Sequence, residues 1–378
     1  MNKIFPIWVL LCMPMLSLQA SPLAFSAWGF SLDLPEEYEL IDGDLQNTFS
    51  FQSSAGAFLD MKVDVSGVSL ETLSETVRKQ LKNEGETEIF DYRGRKAFII
   101  ELNFIIGGEG ITGYGLGFEL EKKGDAVPLL LALAYNKVEA GDMTFLHTSA
   151  LDSIAPVYAA RLYPGAMTDY SFPRGEFKTV PLAGGEGSAL FHENDAAAAQ
   201  YVIDREDLVL SRYASSPLWK EAWQRFYRVV YRDSFDRIKH ATFILERRWN
   251  VPTLDNRKLA DRALRWVQTF TYERDLEGSD FVNLVTAATE GRGDCDSRSL
   301  LWAVILRQAN IPSAIMVSRE HSHAMGLADV TDAENGDNAR FPFADKKWLV
   351  AETTAKIGIG LIEESMKDPR RWLGVELE

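Results

Sequence analysis

Apolar and polar positions alternate through much of the first third of the chain. "FSLDLP" alternates up to Pro35, and "TFSFQS" and "FLDMKVDVS" alternate again, with Phe58, Met61, Val63 and Val65 prominent. This period of two marks half-buried strands. The period then changes: Leu70, Leu73, Val77 and Leu81 recur at helical spacing behind Ser69, a capping residue. Four more strand-like runs follow, "TEIFDY", "KAFIIELNF", "YGLGFELE" and "PLLLALAY", the first two joined by a turn at Arg93–Gly94. Phe145, Leu146, Ala150, Leu151 and Ile154 predict a closing helix. Strands, helix, strand meander and helix make one α/β sandwich with an antiparallel sheet, over residues 21–157.

The pattern loosens between 158 and 200, where "LYPGAMTDYSFPRGE" and "PLAGGEGS" carry the Pro and Gly of a linker. A helical and strand extension is expected over 201–254. "YVIDREDLVLSRYA" reads as strand then turn, and Pro217 stands as the first residue of a helix capped by Ser216. On that helix Trp219, Trp223, Phe226 and Val230 share a face, read as packing. Arg225, Arg228, Arg232 and Arg237 with Asp233 and Asp236 read as a solvated ion-pair face. A second helix follows Asp255, with Leu259, Ala263, Trp266, Val267 and Phe270 as its buried stripe. A domain over 255–378 completes an α+β chain in two parts.

Composition sharpens this picture. The chain has 378 residues, 46% hydrophobic and 25% charged, which suits a globular protein with more than one core. Its net charge of −15 argues against nucleic acid or an anionic membrane surface as the main partner, since both reward clustered Lys and Arg.

The first twenty residues read as a secretory signal: Lys3, the apolar "IFPIWVLLCMPML", and "SLQA" ending on a small residue near Ala20. The apolar run is short for a membrane span, so no span is expected after signal removal. Export to a periplasmic or extracellular space follows. Cys12 lies inside the apolar run behind two leucines, which does not suit a lipidation site. Once the signal is removed, Cys295 is the sole cysteine, and an odd thiol in an oxidising compartment needs a reason.

Cys295 sits in "GRGDCDSRSLLWAVILRQANIP", two residues after Gly293 and ahead of the apolar positions Leu300, Leu301, Val304 and Ile305. It falls in the first turn of a predicted helix that Asp294 can cap. Unpaired N–H groups there stabilise a thiolate and lower its pKa. Gly291 and Gly293 relieve crowding in front of it. A thiolate nucleophile needs a base. His323 opens the alternating run "HAMGLADV", with His321 as the rival. A third group must orient the imidazole, and "KKWLVAETTAKIG" offers Glu352. Cysteine, histidine and acid follow in that order at intervals of 28 and 29 residues. Asp294 and Asp296 flank the thiol, but with one His, one Cys and no Cys-x-x-Cys pair no metal is expected. "DAENGDN" lacks the twelve-residue calcium-loop pattern. No cofactor is implied.

Two resemblances follow from these phrases. "FSLDLPEEYEL" and the element order over 21–157 resemble the PsbP/Mog1-like group, for architecture only. "GDCDSRSLLWAVILRQANIPSAIMV", "HAMGLADV" and "WLVAETT", with the lead-in "WVQTFTYERD", resemble the transglutaminase-like domain, a branch of the papain-like cysteine fold, over roughly 255–362. That resemblance implies Cys295 as nucleophile, His323 as general base and Glu352 as orienting acid, where the family more often has Asp. An oxyanion donor is also required. The Cys295 backbone N–H can serve, and Gln268 or Tyr272 are side-chain candidates. The expected function is hydrolysis of an amide or peptide bond in a protein or peptide of the cell envelope, with transamidation less favoured. The alternative is a noncatalytic binding module on the same fold.

Overall fold

A computed structural model describes residues 22–251, 254–274, 279–330 and 338–377. The segment expected to be a signal and most of "DAENGDN" lie outside the described residues. In the N-terminal half, the described strands are β1 (Leu23–Phe25), β2 (Phe30–Leu32), β3 (Tyr38–Asp42), β4 (Thr48–Ser53), β5 (Phe58–Asp64), β6 (Thr87–Tyr92), β7 (Arg95–Ile106), β8 (Glu109–Glu119) and β9 (Leu129–Lys137). Their helices are α1 (Leu70–Leu81) and α2 (Thr144–Asp152). Strands β3 to β9 form one antiparallel sheet in the order β3-β4-β5-β9-β8-β7-β6.

The alternation in the sequence decides which face each side chain joins. Leu70, Leu73 and Val77 of α1 cover Phe98, Ile100 and Leu102 on one face. Leu146, Ala150, Leu151 and Ile154 cover Leu59, Met61, Leu116 and Phe118 on the other. Ser69 caps α1 by accepting from the Thr72 N–H.

The segment 158–200, read as linker, is folded. It holds α3 (Ala166–Ser171), the hairpin β10 (Phe177–Pro181) with β11 (Ser188–His192), and the start of α4 (Asp195–Ser211). The strand expected at "YVIDREDLVLS" is instead the body of α4. Ala196 to Ala199 supply strong helix formers. The buried face runs through Ala198, Ala199, Val202 and Ile203 to Val209, but Arg205 and Glu206 interrupt it. Those two charges hid the helical period. Helix α5 (Trp219–Arg248) starts two residues after Pro217, and the Ser216 hydroxyl accepts from Leu218 N–H.

The ion-pair face of α5 is also not solvated. Arg225, Asp233 and Arg237 are buried. Arg225 bonds Glu206 at 2.6 Å, and Arg205 bridges Glu206 and Asp152 at 2.8 and 2.6 Å. Arg228 holds Asp33 through two 2.9 Å bonds. Arg232 donates to the carbonyls of Asp152, Ser153 and Ile154 at the end of α2, a favoured place for a cation. The arginines of α5 therefore clamp the N-terminal sandwich to the rest of the chain.

The C-terminal half contains α6 (Asn256–Val267), β12 (Thr271–Tyr272), α7 (Leu284–Glu290), β13 (Arg292–Gly293), α8 (Cys295–Gln308), β14 (Ser313–Ser318), β15 (His323–Ala328), β16 (Arg340–Phe343), β17 (Lys346–Ala351) and β18 (Leu373–Val375). The last five strands form an antiparallel sheet in the order β16-β17-β15-β14-β18. Every residue of α8 from Ser297 to Leu306 is buried. It is the central helix of this half, enclosed by α5, α6, α7 and the sheet. Among the described residues no helix is long and apolar enough to cross a membrane.

One buried group carries a prediction. His147 in α2 is 1% exposed and its Nε2 has no hydrogen-bond partner. Burial pushes its pKa down from 6.5 to about 4, against a weaker opposing pull from Asp142. Below the unfolded value the unfolded chain binds the extra proton, so stability is lost as pH falls from 6.5 through about 4. The loss approaches about 3 kcal/mol at 1.36 kcal/mol per pKa unit. Urea unfolding of wild type and His147→Leu across this range should show the wild type losing that much more on acidification.

Candidate functional site

The site is assembled where α8 starts against β15, the central strand of the five-stranded sheet. Tyr272 pairs with Gly293 in the parallel β12–β13 ladder, which delivers the chain to Asp294. Gly291 has φ +66° and Gly293 φ +153°. A Cβ at either would come within 2.9 Å of Ala183 Cβ or Ser297 Cβ respectively, so both glycines are required by close approach. Asp294 caps α8, accepting from the Ser297 N–H at 2.8 Å and its hydroxyl at 2.5 Å. Cys295 is the first residue of the helix.

His323 is the first residue of β15, and Glu352 follows β17, the neighbouring strand. His323 Nε2 and Glu352 Oε2 are 2.7 Å apart. The other carboxylate oxygen accepts from Thr354 N–H at 2.7 Å and Thr354 Oγ1 at 2.6 Å. The threonine of the "ETT" phrase thus fixes the acid. Despite burial, which raises it, the bonds from His323 and Thr354 bring the Glu352 pKa below its ordinary value. An ionised carboxylate only accepts. Nε2 is therefore the protonated nitrogen, and Nδ1 keeps its lone pair. Trp372 packs edge-on to the His323 ring, with centroids 6.3 Å apart, and stacks on His321. His321 has no bond to the acid, and its Nε2 is buried without a partner.

Gln268 does not fit the oxyanion role considered for it. Its amide nitrogen donates to the carbonyls of Glu352 and Ile357 at 2.8 and 2.9 Å. It fixes the backbone of the acid instead. Ser299 does similar work, bonding Thr353 Oγ1 and the Ala324 carbonyl. Tyr272 is 49% exposed beside the site, its ring 5.5 Å from the Arg298 guanidinium. Burial and the negative groups around Cys295 raise its phenol pKa.

The thiol overturns one expectation. Cys295 is 4% exposed, and Sγ donates to Asp296 Oδ2 at 3.3 Å, not to His323. Its pKa is raised, not lowered: burial acts first, then the charges of Asp296 and Asp294, against an opposing pull from the Ala324 N–H. The two flanking carboxylates outweigh the partial charges on the N–H groups of the helix start. Tyr227 of α5 also donates to Asp296, and burial then Asp296 raise its pKa. Burial, and next Asp296, push Asp294 up to about 8. Tyr227 carries no motif and lies 69 residues from Asp296 along the chain, so no sequence signal joins it to the site.

Oxygen and sulfur atoms of Asp294, Cys295 and Asp296 lie within 4.8 Å of one another. Asp294 Oδ1 is committed to Ser297, and Asp296 is committed to Tyr227 and the thiol. No histidine joins them, so this donor set suits protons better than a metal ion. A groove of about 520 Å³ opens at His323 and at the two aspartates that flank Cys295, lined among others by Trp223, Phe226, Tyr227, Phe281, Asp207 and Asp296. Trp223, read as packing, is one of its walls. The arrangement can move a proton between Cys295 and Asp296.

No protein-family model and no curated protein matches the chain. Among solved structures it is similar to the solution structure of cyanobacterial PsbP (CyanoP) from Synechocystis sp. PCC 6803, at 13% identity and a TM-score of 0.28, over 41% of this chain and 100% of that one. A crystal structure from Bacteroides thetaiotaomicron VPI-5482 is 10% identical with a TM-score of 0.26, over 56% of this chain and 78% of that one. Scores this low carry no argument about activity. The transglutaminase-like resemblance rests on the sequence phrases quoted above.

Proposed function

We infer that the chain is an exported cysteine hydrolase of the transglutaminase-like type, cleaving an amide or peptide bond in a protein or peptide of the cell envelope. The observation that carries this reading is the 2.7 Å His323–Glu352 bond beside the helix that Cys295 opens. It is a base already oriented by an acid, with a thiol at the adjacent chain end. Nδ1 of His323 takes the thiol proton. Sulfur attacks the carbonyl carbon, and the proton passes to the leaving amine as the C–N bond breaks. Water then hydrolyses the thioester and restores the thiol. The Cys295 N–H and the Tyr272 hydroxyl are the proposed oxyanion donors.

A second reading, a noncatalytic binding module on the same fold, is favoured by the buried thiol turned to Asp296. The two separate on one experiment. Envelope proteins incubated with the full chain should gain new amino termini with wild type and none with Cys295→Ala. Identical amino termini from both proteins would refute the hydrolase.

A further inference from the structure

The groove beside Cys295 is both aromatic and acidic. Trp223, Phe226, Tyr227 and Phe281 wall it, and Asp207, Asp280, Asp294 and Asp296 face into it. Three arginines stand near it, and none is paired with Asp207 or Asp296. Arg274 is paired with Asp280 at 2.5 Å. Arg298 donates to the carbonyls of Gly293 and Phe270. Arg319 lies over the Trp219 ring. Among the described residues no Lys or Arg forms a salt bridge with Asp207, Asp294 or Asp296. The pKa of Asp294 is pushed up to about 8 and its carboxylate is bonded to Ser297, so Asp207 and Asp296 leave anionic charge beside flat apolar walls, the setting in which an alkylammonium or guanidinium group binds by charge and by its stem.

The thiol is tied into the same charge. Its hydrogen bond runs to Asp296, which Tyr227 holds in place from α5. As long as that bond stands, the thiol proton is given to Asp296 and not to His323. The remaining titratable or charged neighbours are Asp294, Tyr272 on β12, Arg274, Arg298 on α8, Arg319 after β14, and the His323–Glu352 pair. Among the described residues none of them forms an ion pair with Asp296.

We propose that the groove selects a peptide carrying a lysine or arginine side chain next to the bond to be cleaved, and that pairing of this cation with Asp296 releases the Cys295 thiol to His323. The inference rests on the hydrolase reading and deepens it by naming the substrate class. Asp296 is here a positioning residue with two tasks, holding the thiol at rest and receiving the cation. When the cation arrives, Asp296 exchanges the S–H donor for a stronger charged one. The thiol proton then moves to Nδ1 of His323, and attack follows as described above. Peptides without a cation leave the thiol bound to Asp296.

The test measures alkylation of Cys295 in the full chain by bromoethylamine, iodoacetamide and iodoacetate, read by intact mass. Each rate is normalised to the same reagent's rate with glutathione. The cationic reagent should react about 10-fold or more faster than the neutral one after normalisation, and the anionic one slowest. Asp296→Asn should speed the neutral reagent and bring the ratio toward one. Asp207→Asn, on the groove wall away from the thiol, should lower the ratio partway and serves as the control should Asp296→Asn fail to fold. Equal normalised rates in wild type, or a ratio unmoved by both variants, would overturn the proposal. Cleavage of two peptides differing only in lysine against norleucine separates the two levels of inference. Equal cleavage of both removes the cation requirement and keeps the hydrolase. Cleavage of neither, with cation-selective alkylation intact, removes the hydrolase and keeps the cation site.

Discussion

Glu352→Gln should lower kcat for amide hydrolysis by about 10²–10⁴-fold, the usual worth of general acid–base catalysis, with little change in stability. The reason lies in which nitrogen of His323 carries the proton. Glu352 Oε2 accepts from Nε2 at 2.7 Å and leaves Nδ1 unprotonated. A glutamine amide turned so that its oxygen still accepts from Thr354 presents NH₂ to the imidazole. The ring must then accept at Nε2 and carry its proton on Nδ1, where it can no longer take one from sulfur. Glu352→Asp tests reach, since the shorter carboxylate must span both Thr354 and His323. Steady-state kinetics on a peptide substrate, with circular dichroism to verify folding, checks both. Because Glu352 is held below its ordinary pKa, it stays ionised well into acid and does not set the acid limb of a pH–rate profile.

The second large effect concerns the joint between the two halves. Glu206→Leu should cost about 3–5 kcal/mol of stability, the range for breaking a buried ion pair by removing one partner. Glu206 receives Arg225 at 2.6 Å, Arg205 at 2.8 Å and Ser149 at 3.0 Å, and all four are buried. Its loss leaves the Arg225 guanidinium without a carboxylate in a low-dielectric site. The double variant Glu206→Leu, Arg225→Met should recover a good part of the loss, because no unpaired charge remains. Burial alone would raise the Glu206 pKa, yet Arg225 and Arg205 hold it below the ordinary value. Its contribution is therefore present above the normal carboxylate range and is lost as pH falls through the folded value. Urea denaturation of the single and double variants measures these differences.

These residues also mark how far the sequence could be read. The strands and α1 of the N-terminal sandwich were legible because one face of each is apolar and little else intervenes. Helix α8 was legible from the Gly–Asp–Cys start and the unbroken apolar run behind it. Helix α4 was not, because Arg205 and Glu206 stand on its buried face and break the pattern that periodicity detects. The arginines of α5 misled for the same reason: buried pairing looks in sequence like a solvated stripe, since partners such as Asp152 and Asp33 lie far away along the chain.

At the site, the positions of Cys295 at a helix start and His323 at a strand start follow from local signals. The bond between His323 and Glu352 follows from β15 and β17 being neighbours. The state of the thiol was illegible. The carboxylates on either side of Cys295 read as a helix cap and as candidate metal ligands, and neither role reports their charge on the sulfur. Tyr227 and Trp372 reach the site from elements that carry no motif, and Gln268 serves the backbone of the acid rather than the reacting carbonyl.

The claim at the centre is that Cys295 forms a thioester with a peptide carbonyl, using His323 as base. Intact-mass analysis of the full chain, quenched in acid during turnover of a lysine-containing peptide, measures it most directly. The account predicts an adduct equal to the acyl fragment, mapped to Cys295, released by hydroxylamine, and absent from Cys295→Ala and His323→Ala. Substrate cleavage that continues in Cys295→Ala, with no adduct on the wild-type thiol, would contradict it.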